Sequence, residues 1–153
     1  MSGVYLTLWD KELKDRSLVL RPVKSGWAHL TVAYTDKLMP VTELVKISQT
    51  VLAIWAMRPV TLTKAYVNTF DMIPTGKVRH DVLIEVDPQT TEAVWATRQT
   101  HLSPYDGSEQ FVMRNPHTTH SIHDSRESAE AMVETLNREH LPRTVYVTGV
   151  TVD

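Results

Sequence analysis

A two-residue alternation of apolar and polar side chains recurs along this chain and limits how it can fold. Val4-Tyr5-Leu6-Thr7-Leu8-Trp9 sets Leu6 and Leu8 against Tyr5, Thr7 and Trp9. Ala28 to Tyr34 sets Leu30 and Val32 against His29 and Thr31. Lys77 to Val86 repeats Val82, Ile84 and Val86, and Thr144 to Val152 alternates Val145 and Val147 with Tyr146 and Thr148. Successive side chains of a strand point to opposite faces, so each segment predicts a strand with one buried face. Val60 to Phe70, rich in Thr, Val and aromatics, and Phe111 to Ile122, interrupted at Pro116, are expected to be strands too. Ser17 to Arg21 reads as a short further strand, and Gly149 as the place for a bulge in the last one.

Three stretches replace the alternation with a helical period. Pro40 opens the first, in which Val41, Leu44, Val45, Val51, Leu52 and Trp55 form the stripe, and Pro59 stops it. Asp87-Pro88 supplies an N-cap and a first-turn proline for a second helix running to about His101. Asp124-x-x-Glu127 is a capping-box variant before the stripe Ala129, Met132, Val133 and Leu136, and Pro142 ends that helix. Strands interleaved with three helices on a chain of 153 residues predict an α+β fold, a sheet with helices on its back. No repeat or linker-like stretch divides it, so residues 1–153 are expected to be a single domain.

Composition removes several kinds of chemistry. The chain has no cysteine, which excludes disulfides, thiolate nucleophiles, Cys-ligated zinc and iron–sulfur clusters. A net charge of −2 argues against holding long nucleic acid by bulk electrostatics. No apolar run approaches the roughly 18–20 residues that span a bilayer, and no secretion signal is visible, so a soluble cytoplasmic protein with no membrane partner is expected. Among the groups that remain for chemistry, seven histidines stand out.

Two short strings concentrate that chemistry. His29-Leu30-Thr31 and His117-Thr118-Thr119 each place a histidine and a threonine two residues apart on a predicted strand. Residues i and i+2 share a face, so each string presents an imidazole beside a hydroxyl. On neighbouring strands the pair would face one small anion. A neutral imidazole takes a proton from an attacking hydroxyl, a protonated one donates to the leaving oxygen, and hydroxyls bond the charged non-bridging oxygens. Imidazole's pKa lets both forms exist near neutral pH. One such string alone is more often a hydrogen-bonded structural feature; the pairing gives it meaning.

With these residues the chain resembles the two-histidine (2H, LigT-like) phosphoesterases. The resemblance spans nearly the whole chain: an opening strand with an aromatic, His29-x-Thr31 and a helix, the strand ending Val82-Leu83-Ile84-Glu85-Val86, a second helix, Pro116-His117-x-Thr119, a third helix and a closing strand. It implies a bilobal fold in which two antiparallel-sheet lobes form a concave cleft, with helices packed outside and His29, Thr31, His117 and Thr119 as the catalytic residues. It also implies no metal and no cofactor, and hydrolysis of 2′,3′-cyclic phosphates, RNA ends or cyclic nucleotides. The compact length and short N-terminal half look most like phage-encoded members that degrade cyclic oligonucleotide immune signals (the anti-CBASS type), which would act in the host cytoplasm. The expected partner is a small cyclic nucleotide or oligonucleotide. Action on RNA or tRNA 2′,3′-cyclic ends, and a non-catalytic module that sequesters a cyclic nucleotide, are the alternatives. His120-x-Ile122 competes with His117-x-Thr119 as the register of the second motif, and the preceding Pro116 favours His117.

Other residues carry two readings. Tyr5 and Trp9 are either base-stacking residues of the cleft or ordinary packing aromatics, and Tyr146 and Thr148 have the same two readings on the closing strand. Trp27 and Tyr34 flank the first motif and are candidates for the pocket rim. Trp55 and Trp95 are expected to pack inside. His117, His120 and His123 invite a zinc reading, but strand geometry turns His120 away from His117. Lys11, Lys14, Arg16, Arg21 and Lys24 form a loose basic set, read as solvated surface.

Overall fold

Val4, Leu6 and Leu8 are buried while Tyr5 and Thr7 between them are half-buried, the two-faced pattern that makes β1 (Ser2–Trp9) a strand with one side in a core. In the computed structural model, which describes residues 2–9, 29–35, 40–72, 75–103 and 115–152, the same logic builds five more strands. They are β2 (His29–Thr35), β3 (Pro59–Met72), β4 (Lys77–Val86), β5 (His117–His123) and β6 (Arg143–Val152). The helices are α1 (Val41–Trp55), α2 (Pro88–Thr97), prolonged by a wide π turn over Arg98–Leu102, and α3 (Arg126–Glu139). The short strand expected at Ser17 to Arg21, the basic set from Lys11 to Lys24 and Trp27 lie outside the described residues.

All the strand pairings are antiparallel, in the order β2-β1-β6-β3-β4-β5. The expected two lobes are the two halves of this sheet, β2-β1-β6 and β3-β4-β5. They join through the short ladder from Pro59↔Tyr146 to Leu62↔Arg143. Just before that ladder Met57 turns the chain with φ 60, a left-handed conformation unusual for a residue with a side chain. Its N–H donates to Val147 O at 2.8 Å, tying the turn to β6. The sheet curls until its two end strands approach: Cα atoms of β2 and β5 come within 8 Å although they stand at opposite ends of the order.

One apolar cluster fills the helix side. Leu6, Leu30, Trp55, Leu62, Ile84 and Leu136 are fully buried in it, from strands of both halves and from α1 and α3. Trp55 also donates from Nε1 to Thr97 Oγ1 at 3.0 Å, joining α1 to α2 inside the core. Asp87 caps α2 as expected, accepting from the Thr90 N–H at 3.0 Å.

Three expectations are corrected. The buried stripe of α1 is Ile47, Val51 and Trp55; Val41, Val45 and Leu52 are exposed, because the helix rolls to aim Trp55 at Thr97. The cap of α3 is Ser125 rather than Asp124, since the Ser125 hydroxyl accepts from the N3 amide of Ser128 at 3.1 Å. Trp95 is 40% exposed and packs no core. In β6 the register slips between Gly149 and Val147, so the bulge falls at Thr148, beside the expected Gly149. Among the described residues no helix is long and apolar enough to cross a membrane.

Past Leu62 β3 leaves β6, and α3 closes part of the edge this opens. Asn137 donates from Nδ2 to Ala65 O at 3.1 Å and accepts from Ala65 N at 2.8 Å, as a neighbouring strand would. Asn137→Ala is expected to lower stability by about 1–2 kcal/mol, measured by urea unfolding, because both backbone groups lose their partner. An unchanged unfolding midpoint would mean that water replaces the carboxamide without loss.

Candidate active site

Alternation and register decide which side chains meet on the concave face. In β1 and β2, Tyr5 pairs with Thr31 and Thr7 with His29, so these four share a face while Leu6 and Leu30 turn to the core. In β5, His117 and Thr119 are half-buried on one face and Thr118 is buried on the other. The approach of β2 to β5 sets the two His-x-Thr strings opposite each other. Thr31, His117 and Thr119 line one cavity of about 230 Å³, and His29 lies close enough to His117 to feel its charge.

The two imidazoles sit in different surroundings. His29 Nδ1 is buried with no hydrogen-bond partner among the described residues, and the edge of the Tyr5 ring stands against the imidazole at 5.2 Å between centroids and 84°. Burial first, and then the charge of His117, hold His29 below its ordinary 6.5, at about 4. His117 instead has a carbonyl acceptor, Asn115 O, 3.3 Å from its Nδ1. Only an N–H can donate to a carbonyl, so a hydrogen bond there requires the proton on Nδ1. The surroundings of His29 favour its neutral form.

Tyr5 is held in this pose by Gly3, where a Cβ would collide with the Tyr5 ring and hydroxyl. Of the expected stacking residues, Tyr5 therefore stands against His29 rather than lining the cavity. Tyr146 pairs with Pro59 at the junction of the halves and does not line the cavity. The side chains of Trp9 and Tyr34 lie outside the described residues.

The competing register through His120 meets a different environment. The β4–β5 ladder slips between Val82↔Ser121 and Leu83↔Thr119, which leaves His120 as the extra residue of a bulge. It is buried away from the cavity and shares a hydrogen-bond chain with Ser121 and His123, its Nδ1 3.0 Å from Ser121 Oγ and that Oγ 2.7 Å from His123 Nε2. Burial, then His123 and His140, hold its pKa at about 4. Among the described residues no three His, Asp or Glu side chains are grouped as metal ligands.

Sequence reasoning missed Arg79, Asp81 and Arg98, which line the cavity with His117. Arg79 and Asp81 are on β4, and Arg98 is on the π turn. The signal was available only in part: Arg79, Asp81 and Leu83 have the spacing that shares a face, but nothing local says that the face is concave.

The geometry can now be set beside known proteins. No model of a known protein family matches the chain, and no curated protein matches it in sequence. Solved structures do match in shape, and the fold they define is that of the two-histidine phosphoesterases. Kluyveromyces marxianus Usb1 superimposes with a TM-score of 0.54 at 11% identity, over 99% of this chain and 96% of that one. The same protein with uridine monophosphate gives a TM-score of 0.55 at 13% identity over the same shares.

The His29 environment makes a direct prediction. Followed by NMR, the His29 ring is expected to titrate near pH 4 and to be neutral at neutral pH. In His117→Ala the midpoint should rise but stay below 6.5, because burial, the larger cause, remains. A midpoint near 6.5 in the unmodified protein would contradict the desolvated site.

Proposed function

We propose that the chain is a metal-independent phosphodiesterase that cleaves a phosphodiester beside a ribose 2′-hydroxyl in a small nucleotide ligand. The observation that carries this reading is the approach of two His-x-Thr strings from strands at opposite ends of the sheet order, with Thr31, His117 and Thr119 lining one cavity and His29 near enough to His117 to feel its charge. Neutral His29 acts as the base, taking the proton of the 2′-hydroxyl as its oxygen attacks phosphorus. His117 acts as the acid, protonating the 5′ oxygen as its bond to phosphorus breaks. The products are a 2′,3′-cyclic phosphate and a free 5′-hydroxyl. In hydrolysis of the cyclic phosphate, water attacks, and the two histidines exchange roles. Thr31 and Thr119 donate hydrogen bonds to the non-bridging oxygens, where the charge builds up.

Two substrate classes fit this chemistry. The uridine monophosphate held by the similarly folded Usb1 supports RNA ends. The near-neutral net charge of −2 supports a compact cyclic oligonucleotide over a long polyanion, the reading in which the protein removes an immune signal. A module that only sequesters its ligand is the competing class, and it has no use for two imidazoles in opposite protonation states.

Incubation of the protein with cyclic di- and trinucleotides, 2′,3′-cyclic mononucleotides and short RNAs, all with EDTA, tests the proposal. Turnover of at least one, falling about 10²–10⁴-fold in His29→Ala and in His117→Ala, is the expected result. The pH profile of kcat/KM should be bell-shaped, with an acid limb near pH 4 where His29 takes up its proton. No turnover of any, or loss of activity to EDTA alone, overturns the mechanism.

A further inference from the structure

The cavity that holds His117 and Thr119 has a second polar end, built around Arg79. Arg79 stands opposite Phe70 in the β3–β4 ladder, and its guanidinium carbon lies 5.3 Å from the Phe70 ring centroid. Two residues on, Asp81 is almost fully buried and holds the guanidinium by one edge. Arg79 Nη2 donates to Asp81 Oδ2 at 2.9 Å, and Nε sits 2.8 Å from Oδ1. A stacked face and a gripped edge fix a long side chain that would otherwise move freely. Arg98, 8% exposed on the π turn, lines the same cavity.

This arrangement does nothing for the core, since Arg79 is on the concave face and its own side chain is 36% exposed. It does suit an anion. The guanidinium has five N–H donors, and Asp81 occupies the Nε side, which leaves the Nη1 side as a fork matching two oxygens of a phosphate. Among the described residues that line the cavity, Arg79, Asp81 and Arg98 are the charged side chains besides the histidine. The contact with Asp81 sets the Arg79 charge apart from the reacting pair. Leu83 pairs with Thr119, and Asp81, which holds the guanidinium, precedes it by two residues, about 7 Å along the strand. That is the scale of the step between neighbouring phosphates of a nucleotide chain.

We propose that Arg79, fixed by Phe70 and Asp81 and backed by Arg98, is a subsite for a second phosphate of the ligand, one nucleoside away from the phosphate held between His29 and His117. This rests on the phosphodiesterase reading and sharpens it. The preferred ligand carries at least two phosphates, as an oligonucleotide or cyclic oligonucleotide does, and a mononucleotide cyclic phosphate fills only half the site. Asp81 and Phe70 are positioning residues here; Arg79 touches the ligand.

The test uses binding, so that it does not depend on turnover. The probes are a 5′-phosphorylated thymidine dinucleotide, which lacks the 2′-hydroxyl and stays intact, and thymidine 3′-monophosphate. Calorimetric titration of the unmodified protein should show the dinucleotide binding at least tenfold more tightly. In Arg79→Gln that preference should collapse, the dinucleotide losing far more affinity than the mononucleotide. The slope of log Kd against log salt for the dinucleotide should flatten by about 0.7, the value for one lost contact to a single strand. Arg79→Lys, which keeps the charge without the fork, should restore part of the preference, and matching unfolding curves check that the variants are folded. Equal affinity for both probes in the unmodified protein, or an equal loss for both in Arg79→Gln, would overturn the subsite. Absence of cleavage of any RNA or cyclic substrate, with the binding preference intact, would overturn the enzymatic reading and leave the subsite standing.

Discussion

Everything at the candidate site depends on the curl of the sheet. β2 and β5 are the two ends of a six-strand order, and in a flat sheet they would lie about five strand spacings, roughly 24 Å, apart. Here they come within 8 Å. That approach brings together two short polar strings, with Thr31, His117 and Thr119 on one cavity and His29 beside it. The register slips in β1–β2, β1–β6, β3–β4 and β4–β5 fit such curvature, because an extra residue in one strand bends it and increases its twist. The slip in β5 does a second job. It takes His120 out of the ladder, so that the competing histidine lies buried away from the cavity.

Asymmetry between the two histidines follows from what surrounds each. His29 has a buried Nδ1 without a partner among the described residues and an aromatic edge against its ring, so charge on it is costly. His117 has a carbonyl acceptor at Nδ1. The neighbours of His29 thus lower its proton affinity, and this supports assigning it as the base. Gly3 belongs to the same account at one remove, since only a residue without a side chain lets Tyr5 lie where it does.

Much of the fold was legible in the sequence because it rests on local periodicity. Lys77 to Val86 was bounded without error, and the cap at Asp87 and the break at Pro59 are local rules that the structure keeps. The errors share a cause. The stripe of α1 was misphased because Val41, Val45 and Leu52 are apolar yet exposed, and only the tertiary position of Trp55 decides which face turns inward. Trp95 was assigned to packing on residue type alone. Of the site, the His-x-Thr strings could be found because two residues of one strand suffice to define each. The Arg79, Asp81 and Phe70 cluster could not, since Phe70 joins it through a cross-strand register that no single segment encodes.

The central claim is that His29 and His117 serve one reaction step from the two end strands of the sheet. A double-mutant cycle on kcat/KM measures this most directly, using His29→Ala, His117→Ala and the double variant on whichever substrate the protein turns over. Residues that act as a unit are strongly non-additive. The account predicts that the double variant is little slower than either single one. Losses that simply multiply would contradict a shared step, and full activity in either single variant would contradict the site itself.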